Sequence, residues 1–143
     1  MVTLDVFFDR LKGLEYQAKK IGTELLFRRS NEIVKLSNAE LLKGLNTEGV
    51  VIQKGYSKGY AVRRKKAGLQ TGFVDLYFTG KFQDTSRGVK VVEGLDIDSG
   101  VDYEKWIRKR FKNIRGLNAE QAEMEAEKIA EELAVELKKY LVE

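Results

Sequence analysis

The stretch Val74-Asp75-Leu76-Tyr77-Phe78-Thr79-Gly80-Lys81-Phe82 joins the clearest strand signal in the chain to its most distinctive turn. Val74, Leu76 and Phe78 alternate with Asp75 and Tyr77, the period of two that lays one face of a strand on a core. Thr79-Gly80 breaks the alternation. Glycine takes positive φ without steric cost and a Thr hydroxyl bonds nearby backbone, so a sharp change of direction is predicted there. Phe82 re-enters the apolar surface beyond the turn. The physical reading is a half-buried strand and a tight corner in a soluble α+β domain. Composition and periodicity add no function to it.

Upstream of this stretch, Leu4, Phe7, Phe8, Leu11, Leu14, Ala18, Ile21 and Leu25 step by three and four, which predicts a helix with Thr3 as its N-cap. Gly13 and Gly22 are the places where it bends or divides, and Glu24 to Leu36 is expected to form a second segment. Arg28 and Arg29 interrupt the apolar face and are expected to point to solvent or to a partner. Ser37-Asn38-Ala39-Glu40 reads as a capping box opening a short helix that Gly44 ends. Val50-Val51-Ile52 follows turn chemistry and reads as a short strand or extended edge. Tyr56 and Tyr60, four apart, precede the basic block Arg63-Arg64-Lys65-Lys66, and the segment reads as a short helix or an ordered loop.

Downstream, Val89 to Val92 and Leu95 to Ile97 predict a hairpin with Glu93-Gly94 between its strands. A helix from about Asp102 to Phe111 is expected to bury Tyr103, Trp106, Ile107 and Phe111. Asn118 with Gln121 is a second capping box. It opens a long amphipathic helix with Ala122, Ala126, Ile129, Ala130, Leu133, Leu137 and Leu141 on one face.

The 143 residues suit one domain with a real core, with residues 1–36, 37–117 and 118–143 as its N-terminal helical, central and C-terminal helical parts. No window approaches the roughly 18 to 20 apolar residues of a membrane span, and no leader pattern opens the chain, so no membrane partner is expected. The chain contains no Cys and no His. That removes thiolate chemistry, the most frequent general base and the most frequent transition-metal ligand, and argues against an enzyme. No catalytic, cofactor-binding or metal residue is assigned. Asp96, Asp98 and Asp102 fail the EF-hand spacing, and Asp96 and Asp98 read as the solvent face of a hairpin. Gly55 to Gly59 and Gly68 to Gly72 both lack the Gly-Lys-Ser/Thr ending of a phosphate loop.

Charge is distributed unevenly. From Asn118 onward eight Glu face three Lys, a net of −5, which leaves +9 on residues 1–117. A basic body with an acidic helix suits either nucleic acid or head-to-tail contact between identical subunits. Arg63, Arg64, Lys65 and Lys66 are the candidates for phosphate contact, with Tyr56 and Tyr60 as stacking platforms. The alternative is a solvated loop, or one that pairs with an acidic neighbour.

The order Leu41-Leu42-x-Gly44-x-Asn46-x-x-Gly49, Tyr56, Tyr60-Ala61, a basic stretch, Val74-Asp75-Leu76-x-x-Thr79-Gly80-x-Phe82, Arg110-Phe111 and Gly116-Leu117-Asn118 resembles small structural proteins of tailed phages of Bacteroidetes hosts. The Thr79-Gly80-x-Phe82 corner is similar, more distantly, to the Thr-Gly-x-Leu signature of tail-completion and neck proteins of long-tailed phages. Lys81 and Phe82 stand where those distant relatives carry small or aliphatic residues. The resemblance covers roughly residues 36 to 140. It implies a small antiparallel sheet packed by a long N-terminal helix and the C-terminal helix, with Thr79, Gly80 and Phe82 as a structural corner. It further implies a ring subunit of the virion, a head-tail connector (neck) or tail-completion protein assembled in the host cytoplasm. The implied partners are other copies of itself, the portal, neck or tail proteins beside it, and packaged DNA in the channel. On that reading Arg63 to Lys66, on an extended segment, reach a neighbouring subunit or line the channel.

Overall fold

A computed structural model describes residues 2–53, 55–92 and 94–143. The fold is α+β. Helices α1 (Leu4–Lys12), α2 (Leu14–Arg28) and α3 (Ser30–Leu42) lead into α4 (Lys58–Lys66) and the single turn α5 (Lys81–Asp84). Strands β1 (Arg87–Val91) and β2 (Gly94–Asp98) follow, then α6 (Glu104–Arg110) and α7 (Ala119–Val142).

Thr3 caps α1, its hydroxyl accepting the Val6 N–H at 3.4 Å. The helical run divides at Gly13 and continues unbroken through Gly22. The reason lies in α7, which runs antiparallel to both segments. Arg10 donates to the Tyr140 carbonyl at 2.9 Å, a side chain added at Gly22 would reach Leu133 at 4.0 Å, and Arg29 pairs with Glu125. Gly22 faces α7 in the middle of an unbroken α2. Arg29, expected to face solvent or a partner molecule, is held inside the fold by α7.

The second helical segment expected over Glu24 to Leu36 is replaced by a boundary at Arg29, with α3 running on to Leu42. The separate helix expected after Ser37 does not form. Ile33, Val34, Ser37 and Leu41 share the buried face of α3, so burial carries one helix through the cap signal. The Ser37 hydroxyl instead accepts the Gly116 N–H at 3.1 Å. After α3, Val51 makes only an isolated antiparallel bridge with Leu45.

The hairpin forms as expected in type, with pairs running from Arg87 with Asp98 to Val91 with Gly94. Val92 lies in the turn and not in the strand. Gly94, expected in the turn, opens β2, and Glu93 lies outside the described residues. The hairpin packs on α3 closely enough that a side chain at Gly88 would sit 2.6 Å from Ser30 Cβ.

Val74 to Phe78 forms no strand, which corrects the reading of the opening stretch. Leu76 has φ +56°, and the N–H groups of Asp75, Leu76 and Tyr77 bond to side-chain oxygens of Tyr56 and Asp75. With those donors satisfied locally and a left-handed residue at Leu76, the segment needs no ladder partner and forms none.

Two apolar clusters result. Leu41, Ile52, Val74, Phe82, Val101, Phe111 and Ile114 form the larger, beneath the corner. Ile33, Val34 and Ile97 form the second, between α3 and the hairpin. Of the residues expected to be buried around α6, Phe111 is in the core and Ile107 packs against it, whereas Tyr103 and Trp106 are exposed. The capping box of Asn118 and Gln121 is present with both of its hydrogen bonds. No helix of the described residues is long and apolar enough to cross a membrane.

Candidate functional site

The basic block lies on a helix, as one of the two readings of its segment expected, and is not extended. Ser57 caps α4, accepting the Tyr60 N–H at 3.3 Å, and helical periodicity then splits the run of four cations. Arg63, Lys65 and Lys66 point outward, while Arg64 points inward with 0% of its surface exposed. Its assignment as a subunit or DNA contact is corrected.

Arg64 is satisfied internally. Its guanidinium donates to Asp75 Oδ1 at 3.0 Å, to the Gln70 carbonyl at 3.0 Å and to the Tyr77 carbonyl. The Tyr56 ring lies 4.4 Å from the guanidinium carbon. The Tyr56 hydroxyl donates to Asp75 Oδ1 at 2.9 Å and accepts the Asp75 and Leu76 N–H groups, which fills its capacity. Asp75 also accepts from Gln70 Nε2 and from the Tyr77 N–H. Burial pushes the Tyr56 phenol up to about 12, with the neighbouring Asp75 carboxylate adding to the rise and the Leu76 N–H opposing it. Tyr56 is a structural strut with one face against Arg64, so it offers no free stacking platform.

A second ion cluster supports the corner from behind. Arg115 is almost fully buried and grips Glu104 with two hydrogen bonds of 3.1 Å, while its guanidinium carbon lies 4.0 Å from the Phe82 ring centroid. It also donates to Ser86 Oγ at 2.8 Å and to Asn38. Burial raises the Glu104 carboxyl, but hydrogen bonds from Arg115, Ser99 and Arg108 outweigh it and hold the group below its ordinary range. Of the three aspartates weighed as a cluster, Asp96 pairs with Arg108 at 3.4 Å. No group of three potential metal ligands occurs among the described residues.

Between these two clusters the surface opens into a cleft of about 350 Å³. Gly80 makes the turn with φ +85°, in the left-handed region, and Thr79, Gly80 and Phe82 line the wall beside Leu76 and Phe78. Tyr56 and Tyr60 come from the α4 side, and Tyr103, Ile107 and Phe111 from α6. Lys81 and Arg110 are the charged residues of the lining, and no carboxylate is among them. Five of the sequence candidates thus share one aromatic cleft. Arg63 stands over Phe78 at 4.9 Å, and Lys65 and Lys66 lie outside the lining. Sequence reading missed Tyr103 and Arg110 as cleft residues: Tyr103 was expected in the core, and Arg110 on the exposed face of its helix gives no sign of an opening beside it. The cleft offers aromatic side chains and positive charge, and among the described residues its lining pairs no nucleophile with a base.

Comparison with protein-family models, curated proteins and solved structures found no match to this chain.

Asp75→Ala leaves the Arg64 cation buried without its counter-ion, and a loss of about 3–5 kcal/mol of stability is expected in urea denaturation. Arg63→Ala, Lys65→Ala and Lys66→Ala should each stay within about 0.5 kcal/mol of wild type, since all three are exposed. The folded-state pKa of Tyr56 lies above its unfolded value, so the stability it contributes is complete below about pH 10 and lost as pH rises through about 12. The stability difference between wild type and Tyr56→Phe should therefore narrow across that window, as read by denaturation midpoints at stepped pH.

Proposed function

We propose that this chain is a non-enzymatic structural subunit of a phage virion, a head-tail connector, neck or tail-completion component that works as one copy in a ring. One observation carries the reading: large apolar side chains stand uncovered on three separate helices of a chain whose charges are segregated. Leu4 is 74% and Phe8 56% exposed on α1, Trp106 61% exposed on α6, and Met124 51% exposed on α7. Scattered single apolar residues need no explanation, but bulky ones on several faces suit a subunit covered on more than one side, as in a ring. The segregation of charge into a basic body and an acidic helix supports contacts between unlike faces. The order of motifs around the Thr79-Gly80 corner supports the virion assignment.

A second reading, a nucleic-acid-binding protein, keeps some support from Arg63, Lys65 and Lys66 on the outer face of α4 near Tyr60. It loses Arg64 and Tyr56, which the buried network occupies.

The two readings separate in solution. Sedimentation across a hundredfold range of protein concentration, with electron microscopy of the same samples, should give a closed particle of fixed mass that dissociates on dilution. A monomer at every concentration that binds DNA with a steep loss of affinity as salt rises would contradict the ring and favour the second reading.

A further inference from the structure

The aromatic cleft and the outer face of α7 are complementary in charge. Tyr60, Phe78 and Tyr103 line the cleft together with the cations Lys81 and Arg110. On α7, Ile129, Leu133 and Leu137 are partly buried on the side toward α2. About half a turn away, Glu120, Met124, Glu127, Glu131 and Val135 recur at spacings of three and four and form one exposed stripe. None of those three glutamates takes part in an ion pair among the described residues, whereas Glu125 on the inner side pairs with Arg29. An exposed methionine thus stands between unpaired carboxylates on the side of α7 that its own α1 and α2 leave open.

We infer that the cleft is the docking site for α7 of a second copy of this chain, with Met124 as the inserted side chain. The unbranched thioether fits an irregular aromatic cleft and gains from sulfur-ring contacts. The flanking Glu120 and Glu127 then meet Lys81 and Arg110, which have no carboxylate beside them in the cleft lining. One copy's α7 packs on its own α2 and α1, leaving the stripe free to point elsewhere. The contact uses two different patches, so each subunit has one donor face and one acceptor face, and repetition gives a ring or a filament. This inference deepens the ring reading and rests on it.

Two variants test the contact, both at exposed positions so that folding is kept: Met124→Lys on the stripe, and Lys81→Glu with Arg110→Glu at the cleft rim. Light scattering of the full-length proteins should show the concentration for half-association rising at least tenfold for each variant alone. Mixed in equal amounts, the two should form a dimer and nothing larger, because only one intact stripe and one intact cleft remain per pair. Wild-type association that neither variant weakens, or a mixture that stays monomeric while the wild type assembles, overturns this contact and leaves the ring reading standing. A wild type that stays monomeric throughout overturns both. A labelled single-stranded oligonucleotide that binds the wild type, and is released by the rim substitutions but not by Met124→Lys, would make nucleic acid the occupant and overturn the inference.

Discussion

The buried guanidinium of Arg64 is the constraint on which the candidate site depends. Removing a cation from water costs several kcal/mol unless it is fully paired, and here the pairing is supplied by Asp75 and by two backbone carbonyls. Each partner sits in the segment between Gln70 and Tyr77, so satisfying one side chain of α4 fixes the path of the chain into the corner. Tyr56 completes the arrangement by bonding both the Asp75 carboxylate and the next two backbone N–H groups. The corner is shaped by side-chain chemistry where a sheet would have used a ladder.

Two consequences follow for the cleft. Its α4 wall and its corner wall move together because Arg64 ties them, while its α6 wall is tied to the corner through Glu104 and Arg115, whose guanidinium lies against Phe82. Both buried arginines face aromatic rings that belong to the cleft or its floor. A cleft preorganised in this way loses little on ordering when it is filled, which favours binding. The amphipathic α7, fastened to the N-terminal helices through Arg10 and Arg29, stands outside both apolar clusters and keeps its acidic face free.

Much of this fold was legible in the sequence. The hairpin, the long terminal helix with its capping box and the sharp turn at Gly80 follow from local patterns whose physics is local. The stretch from Val74 to Phe78 was misleading because alternation assumes that a charged residue faces water. Asp75 faces inward, toward Arg64, and no periodicity rule carries that information. A usable sign was present nonetheless: Tyr56, Tyr60 and Arg64 stand four apart, the spacing of one helical face, so of the four cations Arg64 was the one to expect beside the rings. Ser37 misled in the opposite way, since a cap signal inside a helix is overridden when its neighbours Ile33, Val34 and Leu41 are buried. Tyr103 and Trp106 carry the chemistry of core residues, and only the packing of α6 shows that they face outward.

The most direct test of the account is amide hydrogen exchange at Leu76 and Tyr77, residues outside any helix or strand whose N–H groups bond to Tyr56 and Asp75 side chains. If the Arg64 network holds the corner, both amides exchange as slowly as those in the middle of α3, through global unfolding alone. Exchange at the rate of an open loop, while α3 remains protected, would contradict it.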